Sequence, residues 1–368
     1  MSTPSSNLAT DESIGPLEVV HLFDGAMPTG VSVSHRGRIF VCFPKWGDDV
    51  EFTVAEVRDG KLHAFPDQRW NDNDGNADPD ALVSVQSIVV DPADRLWLLD
   101  TGSPMFEPTS PGGPKLVCVD LETDQVVQTI TFPADVALPT TYLNDVRFDL
   151  RRGAAGTAFI TDSSDQGPNG IIVVDLATGQ SKRRLHDHPS TKAETGLRLI
   201  VEGLEFLERS PDGGTSPVTM GADGIAIAAD GSRLFYCCLV SRVWWSVDVD
   251  ALVDPTYADE EVAATVRHEG DKGGAGDGME TDADGRLYVT DGEHNAIHRR
   301  HPDGSWETVV HDERLLWPDT MSVAADGNLY VTANQLYRQD KYRGGEDQRR
   351  KPYVLFRTPI GSGPVALR

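Results

Sequence analysis

The feature that most limits how this chain can fold is a phrase it repeats. Residues 276–293, GDGMETDADGRLYVTDGE, hold an acid, a glycine, a short apolar run, a D-x-D-G turn, a second apolar run and a polar loop. Two short strands joined by a tight Asp-Gly turn satisfy that pattern. The phrase recurs as TGVSVSHRGRIFVCF from Thr29, QSIVVDPADRLWLLDTG from Gln86 and NDVRFDLRRGAAGTAFITDS from Asn144. It returns as DGIAIAADGSRLFYCC from Asp223 and DTMSVAADGNLYVTAN from Asp319, which with Asp277 makes six copies. The steps between their opening residues run from 42 to 79 residues. Unequal steps around a constant core argue for repeated sheets with variable loops rather than a solenoid.

A ring of four-stranded blades around a central channel fits those periods. The expected fold is therefore a single all-β, six-bladed β-propeller over residues 16–368, preceded by a disordered leader over 1–15. The apolar runs LEVVHLF (17–23) and YVLFR (353–357) lie outside the six hairpins. Pairing of these two terminal strands in one blade would close the ring and remove two sheet edges. Outer hairpins are expected within 115–132, 170–185, 242–250 and 296–310, and short helices at 191–204 and 251–265. Insertions at 66–82, 103–114 and 186–222 are long for a compact ring, which marks them as functional or mobile. The first alternates Asp72, Asp74, Asn76, Asp78 and Asp80, but Gly75 and Val83 break the register of an EF-hand, so a solvated turn is expected.

With 58 acidic against 33 basic residues the formal charge is −25, which disfavours nucleic acid and anionic membrane as partners. No stretch reaches membrane-spanning length. Residues 1–15 lack the basic start and apolar core of a secretory signal. Cys42, Cys118, Cys237 and Cys238 show no metal or disulfide spacing, so reduced, buried thiols in a cytoplasmic protein are expected.

In a propeller, the residues opening the six copies surround one channel mouth. They are Thr29, Gln86, Asn144, Asp223, Asp277 and Asp319. Converging oxygens suit a hard divalent cation such as calcium, for which Asn144, Asp223, Asp277 and Asp319 are the expected ligands. Three carboxylates so close repel one another and retain protons unless a cation joins them. The competing reading is that each Asp caps its own turn. A carboxylate there also serves as a general base, with Asp277 as first candidate. His294 and His311 lie on loops flanking the last two copies. His294 is a second candidate for proton transfer and His311 for substrate contact. Trp46, Trp70, Phe106 and Trp317 stand at strand ends, where they would wall a pocket together with Gln86.

Several segments carry a resemblance in order along the chain: FVCFPKWGDDVEFTVAEV (40–57), DRLWLLDTG (94–102), YLNDVRFD (142–149), ADGIAIAADGSRLFYCCL (222–239) and LLWPDT (315–320). They resemble the royal jelly protein/yellow family. That resemblance implies a six-bladed propeller, with either pigment chemistry of the dopachrome-conversion type or binding of amines in the channel. A more distant similarity is to the gluconolactonase/senescence marker protein lactonases. It implies calcium held by Asn144, Asp223 and Asp277, with Asp277 as catalytic base, while Thr29 stands where those proteins place a glutamate. The function expected first is opening of a small, sugar-type lactone by Asp277 and a divalent cation. Non-catalytic binding of a small amine or aromatic, and isomerisation of a small aromatic, are the alternatives.

Overall fold

Each repeated phrase folds as the two innermost strands of a four-stranded antiparallel sheet, and six such sheets form a ring. The computed structural model describes residues 12–72, 80–109 and 112–368. Blade one comprises Val31–Val33, Ile39–Cys42, Val54–Arg58 and Lys61–Ala64, and blade two Val85–Val90, Arg95–Asp100, Lys115–Asp120 and Gln125–Thr131. Blade three is Leu143–Asp149, Thr157–Asp162, Gly170–Asp175 and Ser181–Arg184. Ala222–Ile227, Arg233–Cys238, Val243–Asp248 and Arg267–Asp271 make blade four, and Met279–Thr281, Leu287–Asp291, Ala296–Arg300 and Trp306–His311 make blade five. Blade six takes Pro318–Val323, Asn328–Ala333 and Tyr353–Pro359 from one end of the chain. Glu18–Phe23 from the other end is its outermost strand, with Phe23 opposite Tyr353. The expected closure by terminal strands is the one observed.

The second aspartate of the repeat holds the turn. Asp282 accepts the backbone N–H groups of Asp284 and Arg286 at 3.0 Å each, the Arg286 Nε at 2.6 Å and the Tyr288 hydroxyl at 2.8 Å. Asp91 does the same for Ala93, Arg95 and the Trp97 indole. One buried carboxylate so satisfied fixes the hairpin's bend and its first aromatic side chain at once. Large apolar residues fill the seams between blades, as where Trp97 of blade two stacks on Phe148 of blade three at 5.3 Å. All four cysteines are free and buried, and burial pushes the Cys42 and Cys118 thiols up to about 12.

Three expectations need correction or limits. Of the leader, residues 1–11 lie outside the described residues, whereas Ser13 is bridged to Thr308 of blade five. The expected helix at 191–204 is instead an irregular segment ending in a small hairpin, Ile200–Val201 with Leu204–Glu205. A second hairpin, Leu207–Arg209 with Thr215–Pro217, follows it. The region 251–265 does hold short helices, Val249–Val253 and Asp259–Ala263. Asp74, Asn76 and Asp78 of the acidic insertion lie outside the described residues.

The turn end of the channel is closed by the C-terminal segment. Ala283 donates to the Gly363 carbonyl at 2.9 Å, Leu150 to the Leu367 carbonyl at 2.8 Å, and Arg368 Nη1 to the Pro92 carbonyl at 3.1 Å. Above Pro364 and Val365, inner strands of all six blades enclose a chamber of about 70 Å³. Inside it Arg147 bridges Asp145 at 2.9 Å and Glu280 at 3.3 Å. No helix among the described residues is long and apolar enough to cross a membrane.

Candidate functional site

The opposite channel end carries the residues that open each repeat, and a backbone irregularity places them. Pairing of the two innermost strands shifts register between Val85 and Ser87, Leu143 and Val146, Ala222 and Ile225, and Pro318 and Met321. These β-bulges fall on Gln86, Asn144, Asp223 and Asp319. A bulge turns a side chain out of the regular alternation, here towards the axis. The glycines after Asp223 and Asp277 have a separate cause. A Cβ on Gly224 would lie 2.3 Å from the Asp277 carbonyl oxygen, and one on Gly278 would lie 2.2 Å from that of Asp319. The Asp-Gly pairs at 223–224 and 277–278 are therefore not turns. They let neighbouring inner strands approach closely enough to gather the aspartates.

Asp223, Asp277 and Asp319 line one cavity with Asn144, Gln86 and Ser163. Each carboxyl has its own donor. Asn144 Nδ2 reaches Asp223 at 2.7 Å, the Trp317 indole N–H donates to Asp277, and Asn334 Nδ2 meets Asp319 at 2.5 Å. Burial raises all three carboxyls above the ordinary carboxylate range, and mutual repulsion adds to it at Asp223 and Asp319. Asp277 is pushed up to about 7, with the Trp317 indole and the buried Lys272 opposing the effect of burial. Trp317 reaches Asp277 from a left-handed backbone at φ 56°. Such a conformation costs a bulky residue about 1–3 kcal/mol, and packing against Phe206 and Tyr337 at 5.1 and 5.8 Å holds it.

Aromatic side chains form the cavity's other wall. Phe106 stacks on Tyr142 at 4.1 Å and on Trp46 at 5.5 Å. The Trp46 indole donates to the Tyr142 hydroxyl at 2.7 Å, which donates to Gln86 Oε1 at 3.0 Å. Lys341 closes the remaining side, its ammonium 4.9 Å from the Phe106 ring centre. The enclosed space is about 20 Å³, room for one water.

The structure thus brings together Trp46, Gln86, Phe106, Asn144, Asp223, Asp277 and Asp319 from the residues the sequence singled out, with Trp317 directly behind Asp277. Three others stand elsewhere. Trp70 sits on a short helix, Gln68–Asn71, capped by Asp67, and packs on the core of Phe40, Phe65 and Leu82 between blades one and two. His294 lies in the turn between the second and third strands of blade five, 56% exposed, its ring on Asp291 at 2.8 Å. His311 ends that blade's outermost strand at the surface, its backbone N–H on Ser13 Oγ at 2.8 Å. Neither histidine lines the cavity. Sequence reasoning missed Tyr142 and Lys341. Tyr142 was within reach, two residues before Asn144; Lys341 sits in a long connection whose path no local pattern reveals.

The oxygens do not form a cation cage. Among the described residues no three His, Cys, Asp or Glu side chains are grouped to hold one ion. Each aspartate is taken up by a separate N–H donor, and the Thr29 hydroxyl is spent on the Gln86 carbonyl at 2.9 Å. The residues gather carboxyls, each on its own N–H donor; they do not, as arranged, supply the six to eight converging oxygens that calcium takes.

The model for the major royal jelly protein family matches residues 83–359, well over half of the chain. The chain belongs to that family. It is 26% identical to major royal jelly protein 7 of Apis mellifera over 206 residues, covering 55% of this chain and 42% of that protein. It is 25% identical to the dopaminechrome tautomerase of Drosophila melanogaster over 165 residues, 43% of this chain and 35% of that protein. Against protein yellow of Drosophila subobscura it is 29% identical over 245 residues, 64% and 41% of the two chains. The chain thus spans less than half the length of these curated relatives. Among solved structures, a luciferin-regenerating enzyme superposes with TM-score 0.58 at 13% identity over 96% of this chain and 98% of that one. A gluconolactonase from Xanthomonas campestris superposes with TM-score 0.55 at 13% identity, over 96% and 97%. A regucalcin from Agrobacterium tumefaciens, titled a calcium-binding protein, gives the same TM-score and identity over 94% and 95%. At such identity these likenesses establish the propeller alone.

Proposed function

We propose that this royal jelly family member is an isomerase that moves a proton on a small, conjugated ring, with Asp277 as the group that takes and returns it. The observation that carries the reading is a carboxyl poised near 7, buried behind stacked aromatic rings. A general base works best with a pKa near the operating pH. Asp223 and Asp319, also raised above the ordinary carboxylate range by burial, stand beside it as further acids facing the oxygens on which charge develops. Tyr142 and Trp46 offer flat apolar faces to a ring. Moving a proton between two positions of one molecule needs no co-substrate, which suits a cavity with a single lip. The similarity to a protein named dopaminechrome tautomerase supports a cyclised aminochrome quinone, with or without a carboxylate, as the substrate class.

A second reading, lactone opening, is favoured by the room for one water beside Asp277. There Asp277 would deprotonate the water. The two are separated by following aminochrome bleaching and, in parallel, acid release from a lactone panel, each with added calcium and with chelator. Bleaching that is lost in Asp277→Asn and indifferent to chelator supports the isomerase. Chelator-sensitive acid release with no bleaching would replace it by a calcium-dependent lactonase. Ligand binding without turnover of either set would leave a binding protein.

A further inference from the structure

The cavity around Asp277 is too small for any ring, so a substrate must open it. Lys341 marks one place where opening leads outward. It lines the inner cavity of about 20 Å³ and also an outer cleft of about 580 Å³. Among the described residues no other lines both. The cleft lies between the hairpin Leu207–Arg209/Thr215–Pro217 and the segment from Asp340 to Gly345.

Two details make this wall a door. Met105 and Phe106 both hold left-handed backbones, φ 57° and 58°, an outlying conformation for bulky residues that costs stability and collects at ligand clamps. Met105 is also 56% exposed. Phe106 therefore occupies the slot against Tyr142 and Trp46 from a strained segment at the surface, with a short way out. Among the described residues Lys341 is the only cation lining the inner cavity, and its ammonium forms no ion pair there but lies over the rings of Phe106 and of its own chain neighbour Tyr342, each at 4.9 Å. Glu208 and Asp165 act on it from a distance, and Glu208, Arg209 and Asp340 also line the cleft. The three cavity aspartates are already engaged by Asn144, Trp317 and Asn334. Lys341 is thus the charge left over for a ligand.

We propose that Lys341 determines substrate specificity by pairing with a carboxylate on the substrate, whose ring displaces Phe106 and stacks on Tyr142 and Trp46. This rests on the reading that the cavity takes a small ring, and it does not require Asp277 to act on that ring. An ion pair formed over an aromatic wall and partly out of water discriminates more strongly than one on the surface.

The test is calorimetric titration of the full chain with 3,4-dihydroxybenzoate and with its neutral amide at pH 7. The acid is expected to bind at least about tenfold more tightly than the amide, a gap of about 1.4 kcal/mol, and the gap should narrow with added salt. Lys341→Met should erase the preference, Lys341→Arg should retain most of it, and Phe106→Ala should tighten both ligands alike. Lys341→Gln serves where the Met variant melts early. Equal affinities in the unaltered protein, no measurable binding of either ligand, or a preference that survives Lys341→Met would each overturn the inference. None of these outcomes involves turnover, so the isomerase reading stands or falls separately by the bleaching assay.

Discussion

Asp277→Asn should make the protein more stable at alkaline pH while abolishing proton transfer. In the folded chain the Asp277 carboxyl titrates at about 7 against an ordinary 3.8, a rise of about three units. At about 1.4 kcal/mol per unit, that is on the order of 4 kcal/mol of folding free energy lost on ionisation. The sign follows from the direction. Because the folded state holds the proton more tightly than the unfolded state, stability is highest below pH 4. It falls as pH rises from about 4 to about 7, and is level above. Asparagine has nothing to ionise and keeps an oxygen for the Trp317 indole. The stability difference between Asp277→Asn and the unaltered protein should therefore grow by up to about 4 kcal/mol between pH 4 and pH 8. Urea unfolding at unit pH steps measures it, and taking the difference cancels the groups that do not sense Asp277, leaving its own titration together with the relief of its repulsion on Asp223 and Asp319. A difference that stays flat across that range, or that shrinks as pH rises, would refute the placement of a raised carboxyl at this position. Loss of a positioned base costs about 10²–10⁴ in rate, so gain of stability and loss of turnover should appear in the same variant.

Removing the indole donor with Trp317→Phe should move the same titration upward. A hydrogen bond to a charged group contributes about 1.5–3 kcal/mol, so the acid limb of the pH–rate profile should shift up by about one to two units. Gly224→Ala and Gly278→Ala should each destabilise the ring by about 3 kcal/mol or more, because the added methyl meets a neighbouring strand's carbonyl. Melting curves should show both far below an alanine placed at the exposed Gly25. Arg147→Met should cost about 3–5 kcal/mol by leaving Asp145 and Glu280 unpaired at the channel's far end, and a further Glu280→Gln should restore part of it. His294→Ala and Trp70→Phe, neither of which lines the cavity, should leave turnover within about twofold, the expected outcome for residues that touch no reacting group.

The ring was legible because its evidence is periodic. Thr29, Gln86, Asn144, Asp223, Asp277 and Asp319 open inner hairpins as their repeat positions require, and the strand of 17–23 closes on 353–357. What the repeat conceals is that its two acids do different work. Asp282 and Asp91 build turns, while Asp223 and Asp277 sit where a glycine lets strands crowd together. An Asp-Gly pair looks the same in both settings, since a small residue serves a tight turn and a close approach equally well. The bulges at Gln86, Asn144, Asp223 and Asp319 leave no mark in a single sequence either, because one extra residue in a short strand reads as ordinary spacing. Loop residues divide by geometry that only the fold supplies. Phe106 and Trp46 turn inward, Trp70 is drawn into a seam, and Lys341 arrives from a connection with no periodicity at all.

The C-terminal segment that lies across the turn end of the ring, from Gly363 to Arg368, makes the channel a vessel with a floor. On the proposed isomerase reading, a molecule that enters past Lys341 and Phe106 meets that floor rather than a through-passage, so its product is expected to leave by the way it came and to inhibit as a competitor of the next substrate.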